Sequence, residues 1–393
     1  MRYEDALSPR RLMGQACRAT GLQDFGPDHF LEPLEVLTHA MVEEADLNPN
    51  GVKTHAGRLL NALENRLRKV DLMKRHPEIS EEKVDVGVVI VGLPRTGSTM
   101  LQRLLASSPK ATATFWWETI FPLPRGEMNP QDVAARKADA EALARQLIES
   151  SSGFDAIHPM DAYAYDEELT LIEQSFVSNI PESMLFVPSY GKWLLEADQT
   201  NAYLELVDWL KILQWQDPAR RGHKWILKSP HHLTAVKTVL ECFPDAVMAM
   251  THRRVEHVMG SWYSMVASLT GGNTDSDFSC KQAAHWTARL HRSLCDMLDA
   301  RAGAEDRFID VNYRSLLSDP IGAARQVFEA AGMAPDAQDD AAWRAWLDSN
   351  KRDNRPSHKY DVADFGIASA DLERDFAFYS SRFDPPRPVE EAG

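Results

Sequence analysis

The strongest constraint on the fold is a strand-like run that leads directly into a glycine-containing loop. Residues 84–91 read VDVGVVIV, and their unbroken valine and isoleucine content is typical of a central strand buried on both faces. The loop 92–99, GLPRTGST, follows, and an amphipathic helical pattern, MLQRLLASSP, comes after it. This order of strand, loop and helix predicts an α/β fold in which the loop binds a phosphate.

Further strand patterns extend the sheet. They occur at 224–228, 246–252 and 307–311, and helical patterns at 233–243 and 283–303 lie between them. Alternation of this kind predicts a P-loop-like central parallel sheet with helices on both faces.

One later helix carries signals for both of its ends. In SDPIGAARQVFEAAG, residues 318–332, we expect Asp319 to cap the helix, Pro320 to take its first position and Gly332 to end it.

The rest of the chain predicts additions to the sheet. Apolar residues at three- and four-residue spacing predict a helical region over 1–80, which serves as scaffold or as the contact in a homodimer. A single further domain is expected over 81–383. Within it, 120–222 has helical patterns near 131–150 and 201–216 and no clear strand, so we interpret it as a helical insertion that walls the substrate site. Residues 384–393 predict a loose tail.

Charge and cysteine content exclude several classes of protein. The 393 residues include 43 Lys and Arg against 58 Asp and Glu, a net charge of −15, which argues against nucleic acid as a partner. The four cysteines have no metal-binding spacing, and a reducing, cytoplasmic setting is expected. No signal peptide and no run long enough for a membrane span stand out. A bound anion therefore needs a local cluster of positive groups.

The loop has the groups that an anion needs but lacks one that ATP needs. Gly92 and Gly97 allow tight turns and close approach of an oxyanion, and Arg95 can offer a bidentate fork. Ser98 occupies the place of the lysine that reaches the β- and γ-phosphates in nucleotide triphosphate-binding loops. A nucleotide with a single 5′-phosphate and no metal fits better, while a kinase or NTPase stays an alternative. Asp310 is the one candidate for a metal-binding acid after a strand.

The loop and its helix together resemble a known donor site. GLPRTGSTMLQRLLASSP is similar to the 5′-phosphosulfate loop of sulfotransferases that use 3′-phosphoadenosine-5′-phosphosulfate (PAPS). The form with PR resembles the tyrosylprotein-type branch and its bacterial relatives. The resemblance implies that PAPS is the donor, that no metal is required, and that the phosphosulfate is held by Arg95, Thr96, Gly97, Ser98 and Thr99.

A second motif of that family binds the ribose 3′-phosphate. In AMTHRRVEHVMGSWYSM, Arg253 follows a predicted strand and Ser261 lies eight positions later, two helical turns on. The resemblance implies that these two residues hold the 3′-phosphate. It also implies that Tyr313 flanks the adenine and that Lys359, in a C-terminal segment, reaches a phosphate.

The catalytic residues are implied by shorter matches. LKSPHHL, residues 227–233, resembles the segment with the family's active-site lysine, here Lys228. Glu118, in TFWWETIFPLP, is implied as the general base. His231 or His232 is the next candidate. The segment 158–173 is interpreted as a wall of the acceptor site that can also supply the base, from His158, Asp161, Glu167 or Glu168.

These patterns together predict an enzyme. The expected reaction moves a sulfuryl group from PAPS to a hydroxyl or amine of a small, aromatic or lipid-like acceptor. The alternatives are a P-loop nucleotide kinase or NTPase and a catalytically inactive nucleotide-binding scaffold.

Overall fold

A five-stranded parallel sheet forms the centre of the computed structural model, which describes residues 3–150, 161–350 and 361–383. The strands lie in the spatial order β2-β3-β1-β4-β5, and every neighbouring pair is parallel. Their bounds are β1 Asp85–Gly92, β2 Ala111–Thr112, β3 Lys224–Lys228, β4 Val247–His252 and β5 Phe308–Asn312. The predicted α/β class is confirmed.

Alternate residues of β1 pack into separate cores on the two faces of the sheet. Val89 and Val91 belong to the larger core, whereas Val88 and Ile90 belong to the smaller one. Each of the four is at most 1% exposed. The continuous apolar run therefore reflects burial on both faces, as the sequence predicts.

Helices cover both faces of the sheet. The smaller core takes Leu101, Leu104 and Leu105 from the helix after the loop, and Phe328 from a later helix. The α-helices of the described residues are Tyr3–Ala6, Pro9–Thr20, Leu31–Glu43, Pro49–Arg75, Ser98–Ala106, Trp116–Ile120, Pro130–Ser150, Leu169–Glu173, Ile180–Met184, Pro188–Glu196, Thr200–Gln216, Val236–Cys242, Val255–Gly271, Ser279–Ala302, Tyr313–Ser318, Pro320–Ala330, Ala337–Ser349, Ser369–Asp375 and Ala377–Phe383. Within the described ranges, none of them combines the length and hydrophobicity that crossing a membrane requires.

The helix signals in the sequence are confirmed in detail. The carboxylate of Asp319 accepts a hydrogen bond from the Gly322 N–H at 2.9 Å, Pro320 begins the helix, and Gly332 follows its end with φ +66°. The strands predicted at 224–228, 246–252 and 307–311 differ from the observed ones by at most one residue.

One strand was missed. β2 consists of two residues, Ala111 and Thr112, which pair with Lys224 and Trp225 of β3. A strand of two residues cannot display an alternating pattern, so the sequence carries no signal for it.

The N-terminal helices share the larger core with the rest of the molecule. Leu34, Leu63 and Leu67 are fully buried in it together with residues from β1 and β3. Arg66 and Lys69 add ion pairs to Glu205, at 2.7 and 3.3 Å. The predicted helical character of 1–80 is thus observed, while the domain boundaries and the homodimer remain predictions.

The buried side chain of His55 makes the free energy of unfolding depend on pH. Burial, with the charge of Arg58, lowers the pKa of His55 from 6.5 to about 3. Between these values the unfolded chain binds a proton that the folded chain does not, so the free energy of unfolding falls as the pH falls, by up to about 1.4 kcal/mol per pH unit. We expect His55→Gln to lose this dependence. Urea unfolding at pH 6.5, 5.5 and 4.5 measures the free energy of unfolding of both proteins. If it changes equally with pH in the wild type and in His55→Gln, the role of His55 is contradicted.

Candidate active site

The loop after β1 needs its two glycines for steric reasons. Gly92 has φ +138°, and a Cβ there would lie 2.6 Å from the Thr251 carbonyl oxygen. Gly97 has φ +88°, and its Cβ would lie 2.9 Å from the ring of Tyr313. Arg95 adopts φ +65°, a left-handed conformation that a residue with a side chain takes at an energetic cost. The loop is therefore held by its neighbours in a single tight shape.

This shape leaves a helix N-terminus open to a ligand. The helix Ser98–Ala106 begins after Gly97, and among the residues that the structure describes no side chain caps its first turn. The first backbone N–H groups of a helix have no partner within it, and the helix dipole favours an anion there. The side chain of Thr96 stabilises the loop itself, because its buried hydroxyl donates to the Leu93 carbonyl at 2.7 Å.

The second anion motif lies against the loop. The guanidinium Nε of Arg95 donates to the Ser261 hydroxyl at 3.2 Å, and Nη1 of Arg253 donates to the carbonyl oxygen of Arg95 at 2.9 Å. The guanidinium of Arg253 also stacks on Tyr313, 4.4 Å from the ring centre. Residues that the sequence assigned to two separate phosphates therefore form one connected group.

The parallel sheet explains why these residues meet. The loop follows β1, Lys228 ends β3, Arg253 follows β4 and Tyr313 follows β5. The carboxyl ends of parallel strands share one edge of the sheet, which is where such folds bind ligands. In a chain with a net charge of −15, this edge concentrates three cationic side chains.

Lys228 lies close to the loop as well. Its ammonium Nζ contacts the Thr99 hydroxyl at 3.1 Å and a carboxylate oxygen of Glu167 at 2.5 Å. Lys228 is 1% exposed. A buried ammonium with a partner is thus fixed beside the helix that begins after Gly97.

Glu118, the implied general base, has a hydrogen-bond partner for each of its carboxylate oxygens. One carboxylate oxygen accepts from Arg220 at 2.7 Å and the other accepts the backbone N–H of Phe115 at 2.9 Å. The side chain is buried, as is that of Arg220. Both oxygens therefore already have strong partners, and the catalytic role of Glu118 stays a prediction.

His231 is enclosed in the protein. Its Nε2 contacts the side-chain oxygen of Gln199 at 2.8 Å, and the residue has no exposed surface. Burial, with smaller contributions from His232 and Arg289, lowers the pKa of His231 well below its usual value. A neutral, enclosed imidazole has little capacity to take a proton from a bound molecule.

Glu168 and His232 form a buried network behind the lysine. The Glu168 carboxylate accepts the backbone N–H of Lys228 at 3.0 Å and contacts His232 Nε2 at 2.6 Å. The hydroxyl of Tyr203 lies 2.8 Å from the other ring nitrogen of His232, and burial raises the pKa of Tyr203 well above 10, which keeps it a donor. The network fixes the end of β3.

Asp310, the candidate for a metal-binding acid, is engaged elsewhere. Arg301 binds both of its oxygens, at 2.7 and 2.8 Å, and His252 Nε2 lies 2.7 Å from one of them. These contacts, above all those with Arg301, hold the pKa of the Asp310 carboxyl well below its usual value despite burial. Lys359 lies outside the described residues, as does His158 of the acceptor-wall segment.

Comparisons with known proteins identify the family and support the fold. The model of the sulfotransferase family matches residues 87–337, more than half of the chain. The crystal structure of sulfotransferase STF1 from Mycobacterium tuberculosis H37Rv is 29% identical, with a TM-score of 0.79 over 95% of this chain and 100% of that one. Sulfotransferase STF9 from Mycobacterium avium shares the fold, with a TM-score of 0.85 at 23% identity over 97% of each chain. No curated protein matches the sequence. The chain belongs to the sulfotransferase family.

Proposed function

We propose that this sulfotransferase takes its sulfuryl group from PAPS and transfers it to a hydroxyl or amine of a small aromatic or lipid-like acceptor. The observation that carries the proposal is the contact between the two anion motifs through Arg95, Ser261 and Arg253. A donor with a phosphosulfate at one end and a 3′-phosphate on its ribose needs two such sites close together. A nucleoside triphosphate has no use for the second one.

The loop residues divide the binding task in this proposal. Arg95 and the backbone N–H groups at residues 97–99 hold the 5′-phosphosulfate, and the Ser98 and Thr99 hydroxyls add hydrogen bonds. Thr96 contributes by keeping the loop in shape, as its contact with Leu93 indicates.

Residues that follow the neighbouring strands bind the 3′-phosphate and the adenine in this proposal. Arg253 and Ser261 hold the phosphate, and Tyr313 flanks the adenine. The guanidinium of Arg253 covers one face of the tyrosine ring and the backbone of Gly97 packs close to it, so the ring has a fixed orientation before a ligand arrives. Lys359 stays a prediction for a further phosphate contact.

Lys228 supplies the charge stabilisation. Sulfuryl transfer resembles phosphoryl transfer in that positioning and electrostatic stabilisation supply most of the catalysis. The ammonium, which lies 3.1 Å from Thr99 Oγ1, is held where negative charge develops on the leaving phosphate oxygen. No catalytic metal is needed for this role.

The proposed class of acceptor is argued from the aromatic side chains of the insertion. Phe176 and Tyr190 of the insertion are buried in the core. Tyr163 is 50% exposed and lies four residues before Glu167, which contacts Lys228. It therefore presents an aromatic surface in the segment that carries Glu167. We therefore propose an aromatic or lipid-like molecule over a glycan, which would favour basic side chains.

A screen tests the proposal. The purified protein is incubated with PAPS and a panel of phenols, sterols, fatty alcohols, amines and sugars, and products are identified by mass spectrometry. We expect the mass of one sulfuryl group on phenols or lipid-like alcohols, with release of 3′,5′-adenosine bisphosphate. Phosphorylated products that require ATP and Mg²⁺ would contradict the proposal. Binding of the bisphosphate without transfer to any acceptor or to water would identify an inactive scaffold instead.

A further inference from the structure

The carboxylate next to Lys228 is that of Glu167. Its oxygen lies 2.5 Å from the lysine ammonium, which in turn contacts Thr99 on the helix that follows the phosphate-binding loop. The side chain of Glu167 is 21% exposed, whereas that of Lys228 is 1% exposed. Glu167 therefore contacts the buried cation and is also partly exposed at the surface of the protein.

The other candidates for the general base lack this combination. Both oxygens of Glu118 are bound by Arg220 and by a backbone N–H, and its side chain is 5% exposed. Glu168 and His231 have no exposed surface, and each is hydrogen-bonded within the protein. A general base must lie within hydrogen-bond reach of the proton that it takes. Of these four side chains, Glu167 alone joins exposure to contact with Lys228.

The backbone around Glu167 is held on both sides. The Asp166 carbonyl accepts from the Thr114 hydroxyl at 2.7 Å, and the Asp166 N–H donates to the Thr114 carbonyl at 2.8 Å. On the other side, Glu168 is fixed by the N–H of Lys228 and by His232. A carboxylate has about four lone-pair positions, and among the described residues Lys228 occupies one of those of Glu167. The remaining positions are available to an incoming hydroxyl.

We propose that Glu167 is the general base of sulfuryl transfer, a role that rests on the proposed function. The Glu167 carboxylate takes the proton of the acceptor hydroxyl as the acceptor oxygen forms a bond to sulfur. The bond between sulfur and the 5′-phosphate oxygen breaks, and the electron pair leaves with the bisphosphate, where Lys228 stabilises the charge. The protonated Glu167 then releases its proton to water. Glu168 and His232 act as positioning residues.

The test uses PAPS cleavage under single-turnover conditions, followed by chromatography of the released bisphosphate. Water serves as one acceptor and 2-naphthol as another. We expect Glu167→Gln to lower the cleavage rate about 10²- to 10³-fold with either acceptor, the range of general-base catalysis. Calorimetry should show bisphosphate affinity within about threefold of the wild type, since the amide can still accept a bond from Lys228.

Rescue and a matched control separate catalysis from structure. Formate should restore part of the activity of Glu167→Ala, because a small carboxylate can enter the space of the missing one. Glu173→Gln is the control, since Glu173 lies six residues further on and pairs with Arg58 at 2.6 Å. It should keep wild-type activity.

Two other outcomes have distinct meanings. Full activity of Glu167→Gln, or a loss confined to Glu118→Gln with its fold intact, would overturn the role of Glu167 and leave the proposed function standing. If the wild-type protein neither binds the bisphosphate nor cleaves PAPS, the proposed function itself fails and the inference falls with it.

Discussion

Replacement of Lys228 by methionine is expected to lower the rate of PAPS cleavage by about 10²- to 10³-fold, the loss seen when one preorganised charge-stabilising group is removed. Methionine keeps the length and the apolar stem of the side chain but removes the ammonium, which contacts Thr99 and Glu167. Because the cation acts on charge that develops during transfer, the affinity for the bisphosphate should change much less than the rate. Single-turnover cleavage and calorimetry measure the two quantities.

The strand itself offers a control for this substitution. Lys224 begins the same strand and pairs with Asp85 at 2.7 Å on the surface. Lys224→Met should retain the wild-type rate. A Lys228→Met protein that is folded, as judged by circular dichroism and thermal unfolding, and that keeps more than about one third of the activity would contradict the assigned role of Lys228.

Arg253→Ala should weaken binding of 3′,5′-adenosine bisphosphate by about 10- to 100-fold, since hydrogen bonds to charged groups contribute about 1.5–3 kcal/mol. The arginine has two roles that the substitution removes. It is the proposed ligand of the 3′-phosphate, and its guanidinium holds the Arg95 carbonyl in the loop at 2.9 Å. Isothermal titration calorimetry gives the change in affinity directly.

The neighbouring arginine distinguishes a specific contact from general charge. Arg254 contacts Glu256 at 3.4 Å and carries the same charge one residue further on. Arg254→Ala should weaken binding by less than about threefold, because a charge that only steers the ligand is screened by salt. Equal losses for both variants would show that overall charge, and not the position of Arg253, governs binding.

The fold was largely predictable because its signals are local. Four strands were identified from apolar runs, and the ends of the helix Pro320–Ala330 from a capping aspartate, a proline and a glycine. The strand β2 was not identified, because a strand of two residues shows no periodicity. The need for Gly97 could be expected from the loop, but the ring of Tyr313 that forbids a side chain there comes from the helix after β5, more than 200 positions away in the sequence.

The residues that the resemblance implies for the donor side lie close together in the structure, whereas the contacts of the acceptor side were not predicted. Arg253 and Ser261 are eight positions apart, and both contact Arg95. The contacts of Lys228 with Thr99 and Glu167 join residues 129 and 61 positions apart. The contact with Glu167 depends on how the insertion packs against β3, and the contact with Thr99 depends on how the helix Ser98–Ala106 lies beside β3. No local pattern encodes either. The same holds for the buried partner of Glu118, Arg220, which lies 102 positions away.

The most direct test of the central claim is a pair of calorimetric titrations of the wild-type protein, one with 3′,5′-adenosine bisphosphate and one with ATP and Mg²⁺. Two adjoining anion sites, linked by Arg95, Ser261 and Arg253, should bind the bisphosphate firmly without metal and ATP only weakly. Firm binding of ATP that requires Mg²⁺, with no heat from the bisphosphate, would contradict the account.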